Sequence, residues 1–165
     1  MEIDSLRKLY VEELKDLHSA ERQIIQALPR MVKAAGDEKL RAAFEEHLEV
    51  TKQQLGRLDQ IFEKLGKRAA GKKCKGMEGL LEEAKEMMQE DMEPDVLDAA
   101  LISAAQKVEH YEMAGYGTVR TYAELLGERD AAKLLQKTLD EEGNADKKLS
   151  QLAESSINIE AAVEA

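Results

Sequence analysis

Tryptophan is absent from this chain, and its 165 residues hold one cysteine, two prolines and only 4% aromatics. A single cysteine, Cys74, excludes an internal disulfide framework and a cysteine-built zinc site. The scarcity of proline, with ten glycines in all, leaves long stretches free to form helix. No apolar run approaches the roughly 18 residues that a membrane span needs. The first residues, Met1-Glu2-Ile3-Asp4-Ser5, lack the basic segment and apolar run of a secretion signal. With the lone cysteine, these absences lead to the expectation of a cytoplasmic protein with no membrane partner.

Charge is what the chain has in quantity. Asp, Glu, Lys and Arg make up 35%, and the net charge is −10. An acidic balance argues against a nucleic-acid partner and is compatible with attraction of cations, though it also simply serves solubility. The length fits one domain with a sizeable core. The composition is that of an all-α protein.

Apolar residues recur with the 3.6-residue helical period through four long segments. The first starts at Ser5, a good N-cap, and runs to about Ala35 through Leu6, Tyr10, Leu14, Leu17, Ile24 and Leu28. Pro29 falls inside it and is expected to bend it. Gly36 and Asp37 form a stop and a start, so the second helix, Glu38 to Leu65, must run antiparallel to the first. Leu40, Phe44, His47, Thr51, Leu55, Leu58 and Phe62 mark its inward stripe. A basic, loop-like stretch, Lys67 to Gly76, comes next, followed by a short amphipathic helix near Met77 to Gln89. Pro94 is placed to open the third long helix, Asp95 to Leu126. Gly127 ends that helix, and a fourth runs from Asp130 to Ala153. The expected fold is a ferritin-like four-helix bundle over residues 1–153, with a long crossover containing a short helix. Residues 154–165 lose the periodicity and are expected to fray.

Polar residues on the inward stripes are the exceptions that need a reason. Glu109-His110-Tyr111-Glu112 puts two carboxylates on one face of an alanine-rich helix, one turn apart. Buried carboxylates are costly unless neutralised. The first helix offers Glu21, the second His47 and the fourth Glu142, with Asp146 one turn further. At about 1.5 Å of rise per residue, Glu21 lies about 21 Å from the first hairpin turn and His47 about 15 Å. Glu112 and Glu142 lie about 21 and 18 Å from the second turn by the same rise. All four helices can therefore present an acid or an imidazole at mid-bundle. That donor set suits two metal ions held ~3.5–4 Å apart by bridging carboxylates. A buried ion-pair network with Lys107 or Arg120 would explain the same acids without a metal.

Several stretches resemble one family. Ser19-Ala20-Glu21-Arg22-Gln23, Phe44-Glu45-Glu46-His47-Leu48-Glu49-Val50-Thr51 and Lys73-Cys74-Lys75-Gly76-Met77-Glu78-Gly79-Leu80 carry the first half of the likeness. Ala104-Ala105-Gln106-Lys107-Val108-Glu109-His110-Tyr111-Glu112, Thr138-Leu139-Asp140-Glu141-Glu142 and Asp146-Lys147-Lys148-Leu149 carry the second. Together they resemble the YciE/YciF family of bacterial stress-associated proteins, related in fold to rubrerythrins and ferritins. The resemblance implies a homodimer and a centre of two iron ions, with manganese or another divalent metal as alternatives. It also implies ferroxidase or peroxide-scavenging chemistry with dioxygen or peroxide. By position, it makes Glu21, His47, Glu109, Glu112, Glu142 and Asp146 the metal ligands. Two departures stand out: the Glu-x-x-His motif of many such centres is missing, and Val50 replaces the acid often found one turn after the histidine. They keep open a non-catalytic reading, in which the protein is a metal-binding or interaction dimer.

Overall fold

The structure is a computed structural model and describes residues 2–163. It is an all-α four-helix bundle with a crossover helix. The long helices are α1 (Leu6–Ala34), α2 (Glu38–Leu65), α4 (Pro94–Leu125) and α5 (Arg129–Leu152), and the short α3 (Lys75–Met87) lies in the crossover. The expected stops and starts are where the chain turns. Ser5 accepts from the Lys8 amide at 3.3 Å, and Asp37 accepts from the Leu40 amide at 2.8 Å. Gly66 closes α2 in the left-handed region, with φ of 60°. Pro29 sits within α1 without ending it.

The core divides into two apolar layers, and each long helix contributes to both. One layer holds Tyr10, Leu14, Leu58, Phe62, Tyr116 and Leu135. The other holds Ile24, Leu28, Leu40, Phe44, Leu101 and Leu149. Their order along the chain gives the helix directions. Chain α1 passes from the first layer to the second, α2 returns, α4 again passes from second to first, and α5 returns. The connection from α2 to α4 must therefore travel the length of the bundle, and residues 66–93 do so. Chain α3 packs on α1 and α4, with Met77 buried in the second layer. Around the bundle, α1 touches α2 and α4, while α5 touches α4 and α2.

Two local features depart from the sequence reading. The segment beyond Ala153, expected to fray, continues as a π-helical turn, Ala153–Ile157, and a last helix, α6 (Asn158–Val163). Ile157 anchors it, only 1% exposed in the second layer. On α2, Leu55 is only half-buried, whereas Gln54 and Arg57 are buried in its place. Both are polar side chains buried at mid-helix, between the two layers. None of the described helices is long and apolar enough to cross a membrane.

Candidate metal centre

Between the two apolar layers lies a buried polar one. It is made of Glu21, Thr51, Gln54, Arg57, Glu109, Glu112, Thr138 and Glu142, each under a tenth exposed. Within it, ligand atoms of His47, Glu109, Glu112 and Glu142 all lie within 4.8 Å of one another. The helical spacing explains the meeting. Glu109 and Glu112 are one turn apart on α4, His47 faces them from α2, and Glu142 enters from α5. Glu21 reaches the same layer from α1, where its carboxyl is fully buried beside Glu112.

The oxygens of this cluster have few partners. Glu21 Oε2, Glu109 Oε2 and both oxygens of Glu112 and of Glu142 are buried with no hydrogen bond among the described residues. His47 Nε2 approaches Glu109 Oε1 to 3.2 Å but is not aligned for a hydrogen bond. The one strong contact is a short hydrogen bond donated by the Tyr116 hydroxyl to Glu21 Oε1. Burial pushes the Glu21 carboxyl from its ordinary 4.5 up to about 8, although the neighbouring Glu112 and Tyr116 groups pull the other way. Glu109 and Glu112 are also held well above the usual carboxylate range, by burial first and then by the neighbouring Glu142 and Glu21 carboxylates. Burial lowers His47, against the attraction of Glu142 and Glu46. Without a cation, then, the site disfavours its own charges.

Nearby cations do not relieve it. Arg57, the one basic side chain buried in this layer among the described residues, is spent on a two-pronged pair with Glu141, at 2.6 and 2.8 Å, and on Thr138 at 3.0 Å. Burial would raise the Glu141 carboxyl, but Arg57 outweighs it and holds it below its ordinary value. Arg120 pairs with Glu124 at 3.0 Å on the surface, so it does not serve the cluster.

Asp146 does not join the cluster. It lies in an outer groove between α4 and α5, 3.2 Å from His110 Nε2 and 3.2 Å from the Gln106 amide. The i+4 step from Glu142 carries it past the bundle axis and toward Gln106. His18 turns to Asp59 at 2.8 Å and meets the Phe62 ring edge-on. Cys74 is wholly buried and caps α3 by accepting from the Met77 amide. It also bonds Tyr111 and Asp16, which clamps the crossover onto α1 and α4.

A cavity of about 260 Å³ adjoins the centre, with His47 and Glu109 at its inner end. Val50, one turn after His47 on α2, forms part of its wall.

Residues 5–162 match the model of a family described as a domain of unknown function, DUF892. The chain is 46% identical to protein YciF of Escherichia coli (strain K12) over 159 residues, 96% of each protein. It belongs to the YciF family. The crystal structure of the E. coli stress protein YciF superposes with a TM-score of 0.91, covering 94% of this chain and 99% of that one. YcfI of Rhodopseudomonas palustris, 42% identical, gives a TM-score of 0.87 over 90% of this chain and 95% of that one. A protein of Xanthomonas campestris pv. campestris shares the fold at 20% identity and a TM-score of 0.76, covering 94% of this chain and 95% of that one.

In this YciF-family member, three contributors to the polar layer escape a stripe-by-stripe reading. Tyr116 reads as plain core, yet its hydroxyl holds Glu21. Gln54 and Arg57 form a buried bridge from α2 to Glu141 on α5. A signal was present: Thr51, Gln54 and Arg57 recur at three-residue spacing on a helix face that is otherwise apolar.

Proposed function

We propose that this protein is a dinuclear carboxylate metal protein that oxidises Fe(II), or removes peroxide, under oxidative stress. The observation that carries the reading is the set of buried oxygens without partners at the meeting point of four helices. Glu21, Glu109, Glu112 and Glu142 amount to four negative charges once ionised, and two divalent cations supply four positive ones. One cation would leave half of that charge uncompensated in a dry site. The donor set, carboxylate oxygens with one imidazole, suits iron or manganese better than soft metals.

Glu109, Glu112, Glu142 and His47 would hold the ions, with Glu21 completing the shell from α1. When bound, a pair of iron ions supplies electrons to dioxygen or peroxide. The chain's own residues do the rest. Tyr116 keeps Glu21 in one orientation through its hydrogen bond. Arg57 holds Glu141 out of the cluster, so that its carboxylate does not add a further charge. The layer of Tyr10, Leu14, Leu58, Phe62, Tyr116 and Leu135 excludes water on one side, which strengthens the carboxylate–cation attraction.

The test is an anaerobic Fe(II) titration followed by addition of dioxygen. About two irons per chain and dioxygen uptake proportional to iron are expected, and both should be lost in Glu112→Ala. Absence of stoichiometric binding would overturn the reading. A non-catalytic, metal-binding or interaction dimer is the second reading. It is favoured by α2, which brings His47 alone and the apolar Val50 one turn on. It predicts binding without dioxygen uptake.

A further inference from the structure

The cavity beside the centre has a specific origin. One alanine from each long helix, Ala27, Ala43, Ala105 and Ala145, faces it. Four methyl groups leave open the space that larger side chains would take, so the gap is written into the sequence. Most of its remaining wall is apolar, with Phe44 and Val50 among it, while Glu141 and Asn144 add two polar side chains. Its outer end opens between α2 and α5, where Lys148 and Glu46 form a short ion pair across exposed surface. Its inner end is polar: His47 Nε2 and Glu109 Oε2, both buried and both without a hydrogen-bond partner.

The size and the ends restrict what fits. An apolar cavity of about 150 Å³ holds benzene. The space here, about 260 Å³, takes one ring with substituents. An anion would meet the carboxylates of the centre, and a cation would give up its hydration among mostly apolar walls. A neutral hydroxyl carries neither cost and gives the unpartnered Glu109 oxygen a donor. Phe44 and the His47 imidazole offer ring surfaces for an aromatic guest.

We propose that this cavity binds a small neutral aromatic molecule carrying one hydroxyl, of the phenol class, with its ring beside the four alanines and its hydroxyl at His47 and Glu109. The pocket ends on two residues assigned to the metal centre, so the inference rests on that reading for what the guest meets there. Binding itself is a property of the metal-free cavity, and can be measured without any metal.

The experiment is calorimetric titration of the metal-free protein with phenol and, separately, with toluene. A merely apolar hole prefers toluene, because phenol gives up its hydration on entry. The polar inner end reverses that order. Phenol should bind one per chain, about tenfold tighter than toluene. Ala145→Leu and Ala27→Leu fill the cavity from opposite walls, and each should abolish phenol binding. Either variant alone decides if the other does not fold, with helical content by circular dichroism as the check. No phenol binding, an equal or greater affinity for toluene, or phenol binding unchanged in a folded variant would each overturn the proposal. The Fe(II) titration is read independently. Phenol binding without two irons per chain would sink the metal-centre reading and leave the pocket standing, and the converse result would sink only the pocket.

Discussion

At the scale of single residues, the carboxylates of the polar layer act against the stability of the metal-free fold. Glu21 takes up its proton near pH 8 when folded and near 4.5 when unfolded, and Glu109 and Glu112 shift in the same direction. Between those values the folded chain holds more protons than the unfolded one, so stability falls as pH rises. His47 is lowered, so below its ordinary 6.5 it works in the opposite sense, and above 6.5 it no longer offsets the acids. The metal-free protein should therefore lose stability most steeply between pH 6.5 and 8, by on the order of a few degrees or more in Tm. Thermal melts across that range check this, and a flat profile would contradict the assigned burial of charge. Glu112→Gln removes one ionisable group while keeping its shape. At pH 8 it should raise the Tm of the metal-free protein, with little change at pH 5, while lowering the iron stoichiometry. Tyr116→Phe leaves Glu21 Oε1 without its donor and should cost about 1–3 kcal/mol in urea unfolding at low pH.

At the scale of elements, one aspartate on α4 holds the first hairpin. Asp98, 3% exposed, accepts from the Gly36 amide at 2.8 Å and from the Asp37 amide at 2.7 Å. These are charge-assisted bonds to the turn between α1 and α2, and they fix the level of one hairpin against the other. That level decides whether Glu21 and His47 meet Glu109 and Glu112. Asp98→Ala should cost about 2–4 kcal/mol in urea unfolding and weaken iron binding, though Asp98 lies outside the site. Unchanged stability would show that the turn needs no such anchor. The crossover has its own point of close approach. A Cβ on Gly76 would lie 2.6 Å from the Tyr111 ring, so α3 can lie against α4 only because residue 76 has no side chain. Gly76→Ala should therefore push α3 outward and destabilise the protein by about 1–3 kcal/mol, read by the same unfolding curve.

At the scale of the molecule, the bundle is two apolar cores separated by a layer of buried ionisable groups, and the proposed metal centre would join them. Ligands that bind only the folded state stabilise it in proportion to the logarithm of their concentration. Two equivalents of Fe(II) under anaerobic conditions should raise the Tm and reverse the decline above pH 6.5, because charges that repel one another become charges that are held. A Tm insensitive to Fe(II), Mn(II) and Zn(II) alike would remove the metal-centre reading.

The four helices, their caps and the long crossover were legible in the sequence, because helical periodicity, Ser5, Asp37, Gly66 and Pro94 are local signals that act over one or two turns. So was the depth of Glu21, His47, Glu112 and Glu142, since rise per residue converts sequence distance from a tight hairpin into depth. The helical docking of residues 153–163 was not legible: only Ala153 and Ile157 are buried in the segment, and two positions one turn apart are too few to mark a period. Nor could spacing tell that Asp146 turns to Gln106 and His110, that Arg57 is spent on Glu141, or that four alanines leave a cavity against the centre. Rotation about a helix axis and the partner across an interface depend on how whole helices pack, and that is settled by all of their side chains together. The sequence by itself determined which elements form and at what depth their acids lie; only the tertiary structure decided which of those acids face each other and what empty space they share.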